Sequence, residues 1–222
     1  MMEDEYTLTT LVKEKYPKLP YFLFGHSMGS MIARDYASKY GTELDGLIIC
    51  GTCGVFRHSA ESAKFLKKLI DEGKGKEADP SIVNILLGWM CEYCGEIKLG
   101  NEWICHSEYV QQDHADDPFD AFTKPTNNQS LYNFTQLMDV ITGKEWAEKI
   151  PTELPIYNIA GDMDPVGEYG EGVYEAANWL RSTGHRVTTK LYPGYRHEIL
   201  NYTEIKDEVE AGVIAFMDAN II

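Results

Sequence analysis

The chain alternates between short unbroken apolar runs and longer stretches with helical spacing. Residues 4–16 read as a helix that must end before Pro17, and Pro20 then opens the apolar run Tyr21 to Phe24, a strand. The run breaks at Gly25-His26-Ser27-Met28-Gly29 and gives way to a helical face of Met28, Ile32, Tyr36 and Tyr40, ending at Gly41. Leu47 to Cys50 is a second strand, short and branched enough to be buried on both faces.

Between about Val55 and Ile150 the pattern carries no strand signal. Ser59 to Glu72 places Phe65, Leu66, Leu69 and Ile70 on one side, and Asp79-Pro80 caps a helix carrying Ile82, Ile85, Leu86, Trp89, Met90 and Tyr93. A third helix is expected from Gln129 to Thr142, with polar loops between the three. Strand signals return at Leu154 to Ala160 and Val187 to Tyr192, each followed by a helix, Glu171 to Ser182 and Thr203 to Ala219. Strands alternating with helices predict an α/β fold, a mostly parallel sheet with one helical insertion.

Composition narrows the class of function. Twenty Lys and Arg against thirty-five Asp and Glu give the 222 residues a formal charge of −15, which repels phosphate backbones and anionic membrane surfaces. A general nucleic-acid partner is therefore not expected. No apolar stretch is long enough to span a bilayer, and the acidic start Met1-Met-Glu-Asp-Glu-Tyr6 is unlike a signal peptide, so the expected location is cytoplasmic.

Five cysteines make an odd set and no complete disulfide framework. They include two Cys-x-x-Cys pairs, Cys50 with Cys53 and Cys91 with Cys94, and Cys105-His106 follows. Zinc sites use such pairs when each lies in a tight knuckle. Here the first ends a strand and the second follows a helical pattern, so packing is the expected role and no metal is expected. The acidic run Asp113, Asp116, Asp117 and Asp120 lacks the ligand alternation and glycine of a calcium loop and reads as a solvated loop. The cluster Gly167, Gly170, Gly172 has neither dinucleotide nor P-loop spacing and reads as flexible packing.

The candidate chemistry starts at Ser27. Gly-x-Ser-x-Gly alone is a weak signal, but here it sits between a strand and a helix, where a sharp turn lifts a serine hydroxyl above the sheet. Small residues at 25 and 29 would relieve the crowding, and the Met28 N–H at the helix start would face a developing oxyanion. A serine needs a base, and the base needs a carboxylate to hold its tautomer. Asp164 lies just past the third strand and His197 just past the fourth, giving the chain order Ser27, Asp164, His197. Asp162 is the rival acid. His26 and His185 are rival bases, one beside the nucleophile and one at the opposite end of the sheet. Glu198 reads as a supporting or surface carboxylate.

Gly25-His-Ser-Met-Gly29, Gly161-Asp-Met-Asp-Pro-Val166 and Tyr195-Arg-His-Glu-Ile-Leu-Asn201 together resemble the monoacylglycerol lipase and lysophospholipase branch of the α/β-hydrolases, also called the serine aminopeptidase S33 group. The resemblance covers the whole chain. It implies the α/β-hydrolase fold, with Ser27 as nucleophile, Asp164 as acid and His197 as base; its Gly-x-x-Asp spacing from Gly161 selects Asp164 over Asp162. It also implies that residues 1–54 and 151–222 form a hydrolase core and 55–150 a helical cap, or lid, and that no cofactor is used.

In the family the nucleophile follows four strands and a helix, whereas 26 residues precede Ser27. The sheet is therefore expected to be N-terminally incomplete, without the His-Gly loop that supplies a second oxyanion donor, a loss of about 10² to 10³ in rate. The strand at Phe22 would then expose an apolar edge.

The cap segment contributes Trp89, Tyr93, Trp103, Tyr109, Phe119, Phe122, Tyr132 and Phe134, a lining suited to an acyl chain. His26, Trp89, Trp103 and Phe119 are the candidate substrate contacts. The expected function is hydrolysis of carboxylic esters of apolar acyl groups, with a small, lipid-like ester as substrate. The alternatives are an inactive remnant serving as a binding module and an aminopeptidase.

Overall fold

The structure, a computed structural model, describes residues 2–119 and 126–221. Strands β1 (Phe22–His26), β2 (Gly46–Cys50), β3 (Ile156–Gly161) and β4 (Val187–Tyr192) form one parallel sheet in that order. Helix α1 spans Met2–Lys15 and α2 Met28–Tyr40. Between β2 and β3 the described residues hold the helices α3 (Ser59–Asp71), α4 (Pro80–Leu87), α5 (Glu108–Asp116), α6 (Asn128–Val140) and α7 (Lys144–Ala147). Helices α8 (Glu171–Ser182) and α9 (Lys206–Asp218) follow β3 and β4.

The unbroken apolar runs belong to the central strands. β2 and β3 are buried along their whole length, as expected when both faces of a parallel strand are covered. Successive strand residues point to opposite faces. Tyr157 stacks on Phe216 of α9 at 5.4 Å, while the next residue, Asn158, donates from Nδ2 to the Val173 carbonyl in α8 at 2.9 Å. Helices α8 and α9 therefore cover opposite faces. At the β1 edge Phe24 is exposed. β3 starts two residues later than the apolar run, because Pro155 has no N–H to give the ladder.

The sequence pattern overextends one helix of the insertion and misses two. α4 starts as expected, with Asp79 accepting from Ser81 N–H and Pro80 in the first turn, but it stops at Leu87 and a 3-10 turn carries Gly88 to Cys91. Trp89 and Met90 thus sit on the turn, and Cys91 and Cys94 do not extend a helical face. α5 escapes the periodicity because its buried face is polar. Gln111 is buried, its Nε2 donating to the Cys105 carbonyl and its own carbonyl accepting from Asn101 Nδ2. Asp113 and Asp116 consequently lie on a helix instead of a loop, with Asp117 as its C-terminal cap. Asp120 and Phe122 lie outside the described residues. The short α7 carries Trp146, fully buried against Trp179.

The insertion is pinned to α2 by a buried cation. Arg34 is wholly inaccessible, donates to Thr52 Oγ1, the Cys53 carbonyl and the Ile141 carbonyl, and lies 4.3 Å over the Trp146 ring. Burial pulls its pKa down to about 10. Cys53 follows β2 and Ile141 caps α6, so one guanidinium ties both ends of the helical segment to the core. Arg34→Ala leaves these carbonyls unpaired beside a cavity and is expected to destabilise the fold by about 3 kcal/mol. Urea unfolding measures this, and a loss under about 1 kcal/mol would contradict the role.

The cluster Gly167, Gly170, Gly172 is a packing seam. A side-chain carbon at Gly172 would lie 2.7 Å from the Gly54 nitrogen, and one at Gly167 2.7 Å from Val173 Cγ2. No described helix is long and apolar enough to cross a membrane.

Candidate active site

The loops leaving the C-terminal ends of β1, β2, β3 and β4 build the site. β1 ends at His26, and α2 begins two residues later at Met28, which leaves Ser27 alone to reverse the chain. It does so at φ 55° and ψ −127°, a region that costs a residue with a side chain about 1–3 kcal/mol. Its amide donates to the Cys50 carbonyl at 3.0 Å, and its own carbonyl accepts from the Ser30 amide and hydroxyl. The turn is thereby tied to β2 and α2, and the Ser27 hydroxyl caps no helix N–H.

Crowding at the turn falls on one glycine of the motif. A side-chain carbon at Gly25 would overlap the Gly29 carbonyl and lie 2.9 Å from Ala33 Cβ, so only glycine lets the strand pass so close to α2. At Gly29 the same carbon would meet nothing within 4 Å, so the expected relief at position 29 does not arise from its missing side chain. Met28 is the first residue of α2, and its N–H has no acceptor within the helix.

Asp164 and His197 meet in the interior. Asp164 Oδ2 accepts from His197 Nδ1 at 2.8 Å, and Asp164 Oδ1 accepts from the Val166 amide at 2.9 Å. Both side chains are buried. The bond assigns the proton to Nδ1 and leaves Nε2 as the acceptor; Nε2 is buried and has no hydrogen-bond partner among the described residues. The rival acid lies elsewhere, since Asp162 Oδ1 takes the Gly194 amide. His185 is held by the Leu180 and Ile150 carbonyls and Thr183, before β4 and away from the strand ends that carry Ser27. Glu198 pairs with His114 of α5 at 3.0 Å.

Two aromatic rings and one glycine hold the His197 imidazole. Trp103 lies 4.9 Å from it and His26 4.7 Å, centroid to centroid. Gly51, at φ 60°, forms the floor: a side-chain carbon there would come within 2.9 Å of His197 Cε1. Gly51 and the fixed orientation of Arg34 are invisible to motif reading. The positive φ demanded at the end of a strand was the one available signal for Gly51.

The four candidate substrate contacts separate. Trp103 touches His197. His26 does too, with Nε2 placed 3.3 Å from the His197 carbonyl, so it packs on the histidine loop. Trp89 packs on Phe56 and lies under the Arg57 guanidinium, 4.4 Å from ring to charge. Phe119 is 94% exposed and reaches none of these groups. Among the described residues no group of three or more His, Cys, Asp or Glu is placed to hold a metal ion. A cleft of about 930 Å³ is lined by α5 and by residues on either side of the His197 loop, but not by Ser27, Asp164 or His197.

Burial sets the titration of the supporting histidines. His26 is pushed below the usual histidine range by burial and by the neighbouring His197 ring, and His106 by burial and Arg196. Both favour the neutral form in the folded chain, so the unfolded chain binds more protons below pH about 6.5. Stability is therefore full above that pH and is expected to fall as pH drops from it through the lower folded pKa values. Urea midpoints across this window test it. His26→Gln should flatten the slope, and an unchanged slope would contradict the assignment.

Comparison with known proteins places the family and fold. The family model described as serine aminopeptidase, S33, matches residues 1–204. A solved structure described as a highly thermostable carboxyl esterase from Bacillus coagulans in complex with glycerol is 56% identical, with TM-score 0.97, over all of this chain and 72% of that one. A second, described as a lipase in its open form, is 32% identical with TM-score 0.88, over 99% of this chain and 71% of that one. A monoacylglycerol lipase from Paleococcus ferrophilus shares the fold, at TM-score 0.68 and 15% identity, over 99% of this chain and 76% of that one. No curated relative matches the chain. With the family match over most of the chain, the 56% identical esterase and the parallel sheet in agreement, the chain belongs to the serine aminopeptidase S33 family of α/β-hydrolases.

Proposed function

We propose that the chain is a serine hydrolase that cleaves carboxylic esters of apolar acyl groups, monoacylglycerol-like or lysophospholipid-like, through an acyl-enzyme on Ser27. The observation that carries this reading is the buried Asp164–His197 pair with an unpartnered Nε2, at the end of the sheet where Ser27 is lifted on its strained turn.

In this reading His197 Nε2 takes the Ser27 proton as Oγ attacks the ester carbonyl, and Asp164 steadies the imidazolium through Nδ1. The oxyanion forms against the Met28 N–H and the positive end of α2. The alcohol leaves with the proton from Nε2, and water then releases the acid by the same steps. Three side chains supply nucleophile, base and acid, so no cofactor is needed. Trp103 and His26 keep the imidazole from rotating away between the two half-reactions.

The apolar preference rests on what surrounds the strand ends. Met28, Val55 and Met163, exposed apolar side chains, follow the ends of the adjacent strands β1, β2 and β3. The helical segment 55–150 would act as a lid, with Trp103 at its inner side. The similarity to a carboxyl esterase and a lipase supports an ester as substrate.

The name of the matching family model favours a second reading, an aminopeptidase. Comparing p-nitrophenyl acyl esters with aminoacyl p-nitroanilides separates the two. The esterase reading predicts the larger kcat/KM on esters, and a preference for the anilides would overturn it.

A further inference from the structure

We propose that Cys91 and Cys94 form a dithiol–disulfide modification site, closed by a peroxide, on the loop that packs Trp103 against His197. The proposal does not depend on which substrate the enzyme takes.

Geometry comes first. The 3-10 turn that ends at Cys91 continues so that the Cys94 amide donates to the Cys91 carbonyl at 3.0 Å. Residues three apart in such a turn have Cα atoms about 5 to 6 Å apart, inside the span a disulfide bridges. Both thiols are half-buried, whereas Cys50, Cys53 and Cys105 are buried, so an oxidant in solution meets this pair first. No third donor joins them to make a metal centre among the described residues.

The pair is also wired to the site. Cys91 Sγ lies 3.5 Å from the carbonyl of Gly100, three residues before Trp103. Arg196, the residue before His197, donates to the Cys94 carbonyl at 3.4 Å and to the Glu102 carbonyl at 2.5 Å. The loop from Cys91 to Trp103 is thus closed at one end by the two thiols. At its other end it lies against the catalytic-type histidine.

Chemistry orders the two sulfurs. Burial raises both thiols, Cys91 to about 11, but the Arg196 guanidinium pulls Cys94 back, so Cys94 supplies the first thiolate. It attacks hydrogen peroxide, breaks the O–O bond, and becomes a sulfenic acid while hydroxide leaves and takes up the proton given by the thiol. Cys91 then attacks the Cys94 sulfur and expels a second hydroxide, which becomes water with the Cys91 proton. In sum two thiols and one peroxide give one disulfide and two waters: the sulfurs lose two electrons and the peroxide gains them.

The test treats the full chain with hydrogen peroxide and reads intact mass and peptide maps. The expected product has lost two hydrogens, joins Cys91 to Cys94, leaves the other three cysteines as thiols, and returns to the starting mass with dithiothreitol. Its rate should rise by about 50- to 100-fold between about pH 7 and pH 9, as the thiolate fraction grows. Cys91→Ser should leave a sulfenic acid on Cys94 that dimedone traps, and Cys94→Ser should form neither trap nor bridge. The tryptophan emission of the chain should shift on oxidation, and the shift should be lost in Trp103→Phe. Sulfinic acid at either residue without a bridge, or a bridge at Cys50–Cys53, would overturn the site. A bridge formed with no Trp103-dependent shift would overturn its link to His197. Ester hydrolysis enters none of these readouts, so their failure is distinct from failure of the esterase reading.

Discussion

Ser27→Ala is expected to remove ester turnover, lowering kcat by on the order of 10⁶ with the fold retained. The substitution deletes the nucleophile and little else, because the Ser27 side chain caps no helix N–H and its backbone bonds to Cys50, Ser30 and Met31 remain. Alanine accepts the same positive φ at a cost like that of serine. The urea midpoint should therefore stay close to that of the parent chain while p-nitrophenyl ester hydrolysis falls to background. Residual turnover within tenfold of the parent would exclude Ser27 as the nucleophile.

Asp164→Asn is expected to cost about 10⁴ in kcat for a different reason. With its NH2 turned to His197 the amide keeps its oxygen for the Val166 N–H and the turn after β3 survives; in the reverse orientation the NH2 is set against the Val166 N–H, which disfavours it. Toward His197 it offers either an N–H or a neutral oxygen where a carboxylate stood. With the N–H facing Nδ1 the ring proton moves to Nε2, the atom that must accept from Ser27. With the oxygen facing it, the imidazolium loses its counter-charge. KM should change little, because Asp164 is buried away from substrate. Aspartate at 162 offers no substitute, since its carboxylate is committed to the Gly194 amide. A kcat within tenfold of the parent would break the proposed relay.

Much of the frame is legible in the sequence because buried parallel strands announce themselves. β2 is apolar without interruption and β3 is broken only by Asn158, and the turn at Gly25 to Gly29 sits where another apolar run hands over to a helix. The order of Ser27, Asp164 and His197 along the chain anticipates the pairing of the last two. What stays hidden is whatever depends on polar burial or on contacts between distant segments. Helix α5 buries a glutamine, Arg34 solvates its charge with carbonyls from both ends of the insertion, and Gly51 is demanded by a ring 146 positions later, at His197. Phe119, 94% exposed, shows that an aromatic residue in the insertion signals nothing about how deeply its ring is buried.

His26 marks the boundary between these cases. Its position beside Ser27 makes it a candidate substrate contact, and the fold also packs it against the His197 ring and carbonyl. Adjacency along the chain fixed its neighbourhood, but only the reversal of the backbone at Ser27 decided which face of that neighbourhood it occupies.

The central claim is that Ser27 is an activated nucleophile. A fluorophosphonate probe, which phosphonylates serine only when a base removes its proton, tests it most directly. The account predicts stoichiometric labelling of the folded chain, mapped by mass spectrometry to the peptide holding Ser27 and absent from Ser27→Ala. Folded chain that takes up no label, or takes it up equally in the variant, would contradict the claim and leave the remaining reading, a hydrolase fold kept for binding.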